Sequence, residues 1–320
     1  MLKKIISISC LLVMLTGVML PTVAKGQQAE VTLDDQQIMQ INAALEDENK
    51  DLPIDEKFRV HVEPNNLSQA KGLDKAWLNI LLMGTDTGDI RLNFGRTDAM
   101  LVLSINTQTG QIKLTSLVRD MLVSIPGYNI KNRINTANAF GGPLLAMKTV
   151  NEVLGLNIER YCSINFSGFE DVVDYLGGVS MVLSSAEAGT VNARRTEEAQ
   201  LLTGEQALMY VRIRHLDNNF GRNERQRKFL SAVLEQTKQS SFDQIIDAVA
   251  AGFQTIATNL TTSEVIALLP SVIQDANTMD TLSLPQEGAY TFSTTSAGAS
   301  VIEYDADAVK EAFHAFVYGN

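Results

Sequence analysis

Short apolar runs recur through the middle of the chain, each bounded by glycine or polar residues. Three of them, Leu78–Met83, Ala99–Ile105 and Ile112–Leu117, are six or seven residues long. Runs of this length between turn signals are typical of buried β-strands. Thr107–Gly110 joins the last two runs and predicts a hairpin turn, because glycine readily adopts a positive φ. Val179–Leu183 predicts a further strand downstream.

Between and after these runs, apolar residues recur at the three- to four-residue spacing of amphipathic helices. Helices are predicted at Pro143–Leu154, Phe169–Leu176, Asn223–Lys238 and Ser241–Ala257, with another that starts at Ser263 and is ended or kinked by Pro270. Strands interleaved with helices indicate one layered α/β domain that carries helices on both faces of its sheet.

The segment after Gly204 combines apolar and basic residues in alternation. This pattern predicts a strand over Met209–Arg214, with Gly204–Leu208 leading into it. In such a strand Arg212 and Arg214 would project from one face, about 7 Å apart, because alternate side chains share a face. The apolar residues between them would face the core.

The predicted helix that follows brings further polar groups toward the core. Arg222 and Gln226 are four residues apart, and Phe229 and Val233 continue the same stripe. Buried guanidinium groups are costly unless an anion satisfies them, and their planar fork matches phosphate oxygens. The arginines therefore predict an anion site, with ion pairs to acidic neighbours on the surface as the alternative.

Two aspartates, Asp86 and Asp98, bracket the loop between the first two predicted strands. Open α/β sheets bind ligands just beyond strand ends, and Mg²⁺ usually takes one or two carboxylates together with substrate phosphate and water. A solvated loop with ordinary turn aspartates is the alternative. Arg119 and Asp120 follow the third predicted strand, and alone they are compatible with a plain ion pair.

Composition narrows the function classes. The chain has 320 residues, 45% of them hydrophobic and 20% charged, which is typical of a globular protein. Its 26 basic and 37 acidic residues give a net charge of −11, which argues against a nucleic-acid partner. Only Cys10 and Cys162 are present, so a zinc ribbon, an iron–sulfur site and a disulfide scaffold are excluded. Cys162 is expected to be buried and inert.

The N-terminus is typical of an exported protein. Lys3 and Lys4 precede 16 uncharged residues, Ile5–Leu20, and small residues follow. Residues 1–24 are therefore predicted to be a signal peptide or an uncleaved membrane anchor. A buried core helix is the third alternative. The lysines retained inside predict an extracytoplasmic body. Residues 25–74 are predicted to be a polar spacer, and residues 75–320 the folded domain.

Many ordered blocks between about Leu78 and Leu234 resemble the LytR–CpsA–Psr family of bacterial cell-wall ligases. The blocks are Gly84-x-Asp86, Arg96-x-Asp98, Arg119-Asp120, Ile125-Pro-Gly127, Arg133-Ile-Asn135, Phe140-Gly-Gly-Pro143, Asn165-Phe-x-Gly168-Phe, Asp174-x-Leu-Gly-Gly-Val179, Leu202-x-Gly-Glu-Gln-Ala207, Tyr210-Val-Arg-x-Arg-His215 and Gly221-Arg-x-x-Arg-Gln226. The sequence departs from the family pattern at Ala99, Val118, Met121 and Arg133, which bears on substrate choice and not on the reaction class.

The resemblance implies a three-layer α/β/α sandwich with a mixed central sheet. It implies a phosphotransferase that moves a glycan phosphate from an undecaprenyl-pyrophosphate carrier onto peptidoglycan at the membrane, releasing undecaprenyl phosphate. A hydrolase of the same lipid, or a non-catalytic binder of polyprenyl phosphates, would use the same site and remains an alternative.

The resemblance also implies roles for individual residues, at the positions of this sequence that match the family's motifs. Asp86 and Asp98 would be ligands of Mg²⁺ or Mn²⁺, and Asp98, Asp86 and Arg119 the catalytic residues. The groups expected to hold the pyrophosphate are Arg96, Arg119, Arg212, Arg214, Arg222 and Gln226. The prenyl tail would enter an apolar cavity beneath the sheet.

Overall fold

The computed structural model describes residues 61–67, 70–86, 94–128, 130–216, 219–237, 256–261, 263–265, 267–268, 279–295 and 298–319. The predicted signal or anchor segment, most of the spacer, most of the helix predicted at Ser241–Ala257, and Pro270 lie outside them. Within these ranges, no helix combines the length and apolar character needed to cross a bilayer. The division at residue 75 stays a prediction.

Twelve strands and six α-helices are assigned within the described ranges. The strands are β1 (Trp77–Thr85), β2 (Thr97–Asn106), β3 (Ile112–Leu117), β4 (Leu122–Ser124), β5 (Lys131–Arg133), β6 (Arg160–Ile164), β7 (Val179–Met181), β8 (Gln200–Leu202), β9 (Ile256–Thr258), β10 (Met279–Leu284), β11 (Tyr290–Thr294) and β12 (Ser300–Tyr304). The helices are α1 (Thr136–Leu154), α2 (Phe166–Tyr175), α3 (Ser185–Thr190), α4 (Gly204–Arg212), α5 (Asn219–Thr237) and α6 (Ala306–Tyr318).

The central sheet is mixed, as the resemblance implied. Its six strands lie in the order β10-β3-β2-β1-β6-β9. The pairs β1–β2, β2–β3 and β6–β9 are antiparallel, whereas β1–β6 and β3–β10 are parallel. The three strands predicted from the first apolar runs are confirmed, and so is the strand that starts at Val179.

Alternate residues of β1 enter two separate cores on opposite faces of the sheet. Ile80 and Leu82 pack with α2, α4 and α5, whereas Leu81 and Met83 pack with α1 and α6. Fully apolar strands are expected where both faces of a sheet are covered. The three-layer α/β/α architecture is therefore confirmed.

The strand predicted at Met209–Arg214 is wrong, because α4 runs through Gly204–Arg212. Thr203 and Gln206 form a capping box at its start, each side chain accepting the other's backbone N–H, and this arrangement initiates helices. Arg212 and Arg214 consequently do not share a strand face.

Three predicted helices begin earlier than expected, among them α5, which starts at Asn219 and not at Asn223, and one predicted helical end is a strand. Asn165 caps α2 by accepting the N–H of Gly168, so α2 starts three residues before the predicted Phe169. In α1 the helix predicted from Pro143 is preceded by a further segment from Thr136, with a kink at Gly142, where φ is 68°. Residues 256–258 form β9 at the end of the predicted helix.

Candidate active site

Residues from five separated segments converge at one edge of the central sheet. Asp86 follows β1, Asp98 lies at the start of β2, and Arg119 follows β3. Arg214 lies between α4 and α5, and Arg222 lies in the first turn of α5. Asp98, Arg119, Arg214 and Arg222 are called the arginine cluster below.

Asp98 is the centre of the arginine cluster. Arg119 donates from Nη1 to Asp98 Oδ1 at 2.7 Å, and Arg214 donates from Nη2 to Oδ1 at 3.0 Å and to Oδ2 at 3.1 Å. Burial opposes ionisation of this carboxyl, but the charges of Arg119, Arg214 and Arg222 outweigh burial and lower the pKa of Asp98 below its ordinary 3.8. Asp98 is therefore a carboxylate at neutral pH.

Arg222 is buried with no hydrogen-bond acceptor. Its side chain is 2% exposed, and the carboxylate of Asp98 lies 3.9 Å from its Nη1. None of Nε, Nη1 and Nη2 has a hydrogen-bond partner. Burial and the neighbouring Arg119 lower the pKa of Arg222 to about 10, so the group still carries its charge at neutral pH. A buried cation with unsatisfied donors fits the anion site that the sequence predicts.

Arg119 has spare hydrogen-bonding capacity in the same place. Its Nε lies 3.5 Å from Oδ1 of Asp120 but makes no hydrogen bond. The backbone carbonyl of Arg119 accepts the N–H of Asn135 at 3.4 Å, which fixes the chain where β3 ends. Three guanidinium groups against two carboxylates, Asp98 and Asp120, leave an excess of positive charge.

Asp86 and Arg96 form a second pair beside the arginine cluster. Arg96 Nη2 lies 3.8 Å from Asp86 Oδ2, and the backbone N–H of Asp86 donates to the carbonyl of Arg96 at 3.5 Å. These contacts hold together the two ends of the loop between β1 and β2.

The other two predicted pyrophosphate ligands are Arg212, which is exposed, and Gln226, which is buried. Arg212 ends α4, and its guanidinium stacks on the ring of Phe166, 4.0 Å from the ring centroid. Gln226 lies one helical turn after Arg222 in α5 and is 9% exposed. Both residues line an apolar cavity, which Asp98 of the arginine cluster lines as well.

The apolar cavity lies between the sheet and the helices α2, α4 and α5. It encloses about 110 Å³. Its apolar lining consists of Leu82, Met83, Ala99, Leu101, Cys162, Ile164, Phe166, Phe169, Leu208, Val211, Phe229 and Leu230. Asp98 also lines it, so the cavity opens at the arginine cluster. Cys162 is buried, as expected, and burial raises the pKa of its thiol, which keeps it unreactive.

The two predicted metal ligands each contact arginine. Among the residues that the structure describes, no group of three or more His, Cys, Asp or Glu side chains is arranged to hold a metal ion. A site built from Asp86 and Asp98 would therefore need oxygens from a substrate phosphate and water, which is the usual composition of Mg²⁺ sites in phosphoryl transfer.

Sequence reasoning assigned no role to Arg225. This side chain is 4% exposed and donates from Nη2 to the carbonyl of Ile213 at 2.8 Å, one residue before Arg214. Its Nη1 lies 4.0 Å from Glu187. Arg225 thus fixes the turn that carries Arg214. Its position three residues after Arg222 on the same helix was the feature of the sequence that could have indicated this role.

Comparison with known proteins decides the family. The model of the LytR_cpsA_psr family matches residues 36–316. The chain belongs to this family. The resemblance inferred from its motifs is confirmed.

Curated relatives and solved structures agree with this membership. The chain is 37% identical over 201 residues to the polyisoprenyl-teichoic acid–peptidoglycan teichoic acid transferase TagU of Enterococcus faecalis, covering 61% of this chain and 66% of that relative. It is 31% identical over 208 residues to TagT of Bacillus subtilis, covering 61% and 63% of the two chains. The chain spans 55 to 66% of the length of the first three curated relatives.

A structure of TagT bound to LIIa-WTA superposes with a TM-score of 0.65 at 26% identity, covering 81% of this chain and all of that one. TagT with bound octaprenyl pyrophosphate lipid superposes with a TM-score of 0.62 at 25% identity, covering 81% and 100%.

Proposed function

We propose that the protein is a phosphotransferase that moves a glycan phosphate from an undecaprenyl-pyrophosphate carrier onto peptidoglycan. The observation that supports this proposal most directly is the buried Arg222, whose three guanidinium nitrogens have no hydrogen-bond acceptor. Its Nη1 lies 3.9 Å from Asp98, which lines the apolar cavity. The relatives support the proposal, because they are named teichoic acid transferases and TagT is described with a polyprenyl pyrophosphate lipid.

The two parts of the site match the two parts of such a lipid. A diphosphate would satisfy the spare donors of Arg119 and Arg222 and offset the positive excess of the arginine cluster. The prenyl tail would follow Arg212 and Gln226 into the apolar cavity, where burial of its methylene groups is favourable. One amphipathic molecule accounts for both features.

The reaction forms one P–O bond and breaks another. A hydroxyl oxygen of the acceptor sugar attacks the phosphorus that carries the glycan, and the bond from this phosphorus to the bridging oxygen breaks, so undecaprenyl phosphate leaves. The hydroxyl proton passes to a carboxylate, for which Asp98 is the first candidate and Asp86 the second. Arg119, Arg214 and Arg222 stabilise the charge that develops on the leaving phosphate.

Asp98 is held by arginines in the resting site, which keeps its pKa low. When a diphosphate draws these guanidinium groups to its own oxygens, their hold on Asp98 weakens and its basicity rises. Binding of the donor thereby prepares the carboxylate for the proton.

We further propose that Asp86 and Asp98 bind Mg²⁺ or Mn²⁺, an ion that would neutralise diphosphate charge when bound. Two carboxylates at adjoining strand ends fit such an ion only together with substrate oxygens, so the metal and the donor should bind in a mutually dependent way. We also propose that the domain works outside the cytoplasm at the membrane surface, in keeping with the basic and apolar N-terminal segment.

The decisive experiment incubates the purified protein with a lipid-pyrophosphate glycan, with and without peptidoglycan, and identifies the products. We expect a phosphodiester on peptidoglycan and a polyprenyl monophosphate. Release of the glycan to water at an equal rate in both samples would identify a hydrolase, and lipid binding without turnover would identify a carrier protein. Undiminished transfer by Arg119→Ala and Arg212→Ala variants would overturn the site assignment, and Arg195→Ala serves as a control outside the site.

A further inference from the structure

An aromatic ring, and no polar partner among the described residues, holds the side chain of Arg212. Its guanidinium carbon Cζ lies 4.0 Å from the ring centroid of Phe166. In the part of the chain that the structure describes, this side chain donates no hydrogen bond and enters no ion pair. Arg212 is exposed at the C-terminal end of α4, so its five N–H donors are available to a ligand.

The start of α2 fixes the position of Phe166. Phe166 is the first residue of this helix and directly follows Asn165, whose side-chain Oδ1 accepts the backbone N–H of Gly168 at 2.9 Å. The ring is half-buried and lines the apolar cavity together with Asp98 and Arg212. The capped helix end therefore places the ring beside the arginine cluster, where it supports a long and flexible side chain.

A contact with a ring suits an arginine that binds phosphate. The cation is attracted to the electron-rich face of the ring, and the contact uses the flat face of the guanidinium while its N–H donors lie around the rim. An arginine that is free to move loses rotamer entropy when a ligand fixes it, whereas one that a ring already holds loses less. The contact therefore prepares Arg212 for an anion without using any group that binds one.

We infer that Phe166 is a positioning residue, which holds Arg212 in place for the diphosphate of the donor. Its ring also lines the cavity proposed for the prenyl tail, so one side chain contacts both the arginine for the head group and the space for the tail. The inference rests on the proposed function for the identity of the ligand. The alternative is that Phe166 contributes to the cavity wall alone.

Titration with inorganic pyrophosphate separates these two roles, because this probe has no tail to contact the cavity. We expect Phe166→Leu to weaken pyrophosphate binding about fivefold, which corresponds to one cation–π contact, and Phe166→Tyr to retain it. In an Arg212→Ala background, Phe166→Leu should cause no further loss, because its effect passes through Arg212. Tyr175→Leu is the control, since Tyr175 is an aromatic residue of the same helix that is 65% exposed, and it should bind pyrophosphate as the unaltered protein does.

A measurement on the unliganded protein tests the contact itself. The ring current of Phe166 should shift the NMR signal of the Arg212 Nε–H upfield, and Phe166→Leu should return this signal to the range of exposed arginines. An unmoved signal, or the same fivefold loss of pyrophosphate affinity with and without Arg212, would overturn the inference. If the unaltered protein binds pyrophosphate with these effects but transfers no glycan phosphate to peptidoglycan, the proposed function is wrong and the positioning role stands.

Discussion

At the scale of single residues, the candidate site depends on a cation, Arg222, that the fold buries without a hydrogen-bond acceptor. Hydrogen-bond donors removed from water without acceptors cost free energy, so Arg222 weakens the unliganded chain. The same donors strengthen the complex once an anion supplies acceptors. Under the proposed function, Arg222 lowers the stability of the free protein and raises its affinity for the anion.

Replacing Arg222 by Met should separate these two effects. We expect the unliganded Arg222→Met variant to be at least as stable as the unaltered protein, since a buried charge is replaced by an apolar side chain of similar length. Its affinity for octaprenyl pyrophosphate should fall about a hundredfold, equivalent to loss of charge-assisted hydrogen bonds of roughly 3 kcal/mol.

Thermal unfolding with and without the lipid measures both effects. The lipid should raise the Tm of the unaltered protein but not that of Arg222→Met. Lys228→Met is the control, because Lys228 lies on the same helix, is exposed, and pairs with Glu224. A similar lipid-induced rise in Tm for Arg222→Met would contradict the assignment.

Asp98 makes the stability of the protein sensitive to acid. Its folded pKa is lower than the ordinary 3.8, so the stability it contributes is present above pH 3.8 and is lost as the pH falls through the folded pKa. An Asp98→Asn variant should lack this part of the acid-dependent loss, as measured by denaturant unfolding from pH 6 down to about 2. The exposed Glu311→Gln should retain the full pH profile, and an identical profile for both variants would refute the argument.

Single residues of the site differ in how well the sequence predicts their positions. The four-residue spacing of Arg222 and Gln226 in an apolar stripe was sufficient to predict that both are buried. The contacts of Asp98 with Arg119 and Arg214 were not predictable from spacing, because they join segments far apart in the chain. The arrangement arises only when the sheet aligns the ends of β2 and β3 with the turn after α4.

At the scale of elements, α4 shows why a short pattern can mislead. Val211 and Ile213 alternate with Arg212 and Arg214, as strand residues do, but Ala207 and Val211 are also a helical pair. The Thr203-x-x-Gln206 capping signal distinguished the two structures, since it marks a helix start. The apolar runs before Gly84 and after Asp98 were predicted correctly because runs of six or seven residues between turn signals are too short for a typical helix.

The cap of α4 should be measurable by substitution. Thr203→Ala removes the side chain that accepts the N–H of Gln206, and we expect a loss of about 1 kcal/mol in the free energy of unfolding. Thr203→Ser keeps the hydroxyl and should lose much less. Equal destabilisation by the two changes in urea unfolding would argue against the cap as the cause.

At the scale of the whole molecule, the apolar cavity lies on the α2–α4–α5 side of the sheet. The cavity of about 110 Å³ is smaller than the 300–1,000 Å³ of ordinary ligand pockets. Under the proposed function, we expect a polyprenyl tail to displace α4 and α5 from the sheet as it enters. The length of prenyl chain that the protein accepts should then depend on how far α4 and α5 can move away from the sheet.

Narrowing the cavity should select for short lipids. Val211 lines the cavity and is 8% exposed, and a Val211→Phe variant adds bulk there without altering the arginine cluster. We expect its affinity for octaprenyl pyrophosphate to fall about tenfold or more, while a diphosphate with a single isoprene unit binds as before. Leu201→Phe, at an exposed position, is the control, and equal losses for both lipids would indicate general misfolding instead.

The guanidinium groups of Arg119 and Arg222 come from opposite halves of the domain and meet only through the assembled sheet. An emerging or half-folded polypeptide therefore possesses neither the cluster nor its electric field. Under the proposed function a diphosphate would be bound only once β3 and α5 have docked in the same domain, so its binding would report that these elements are in place.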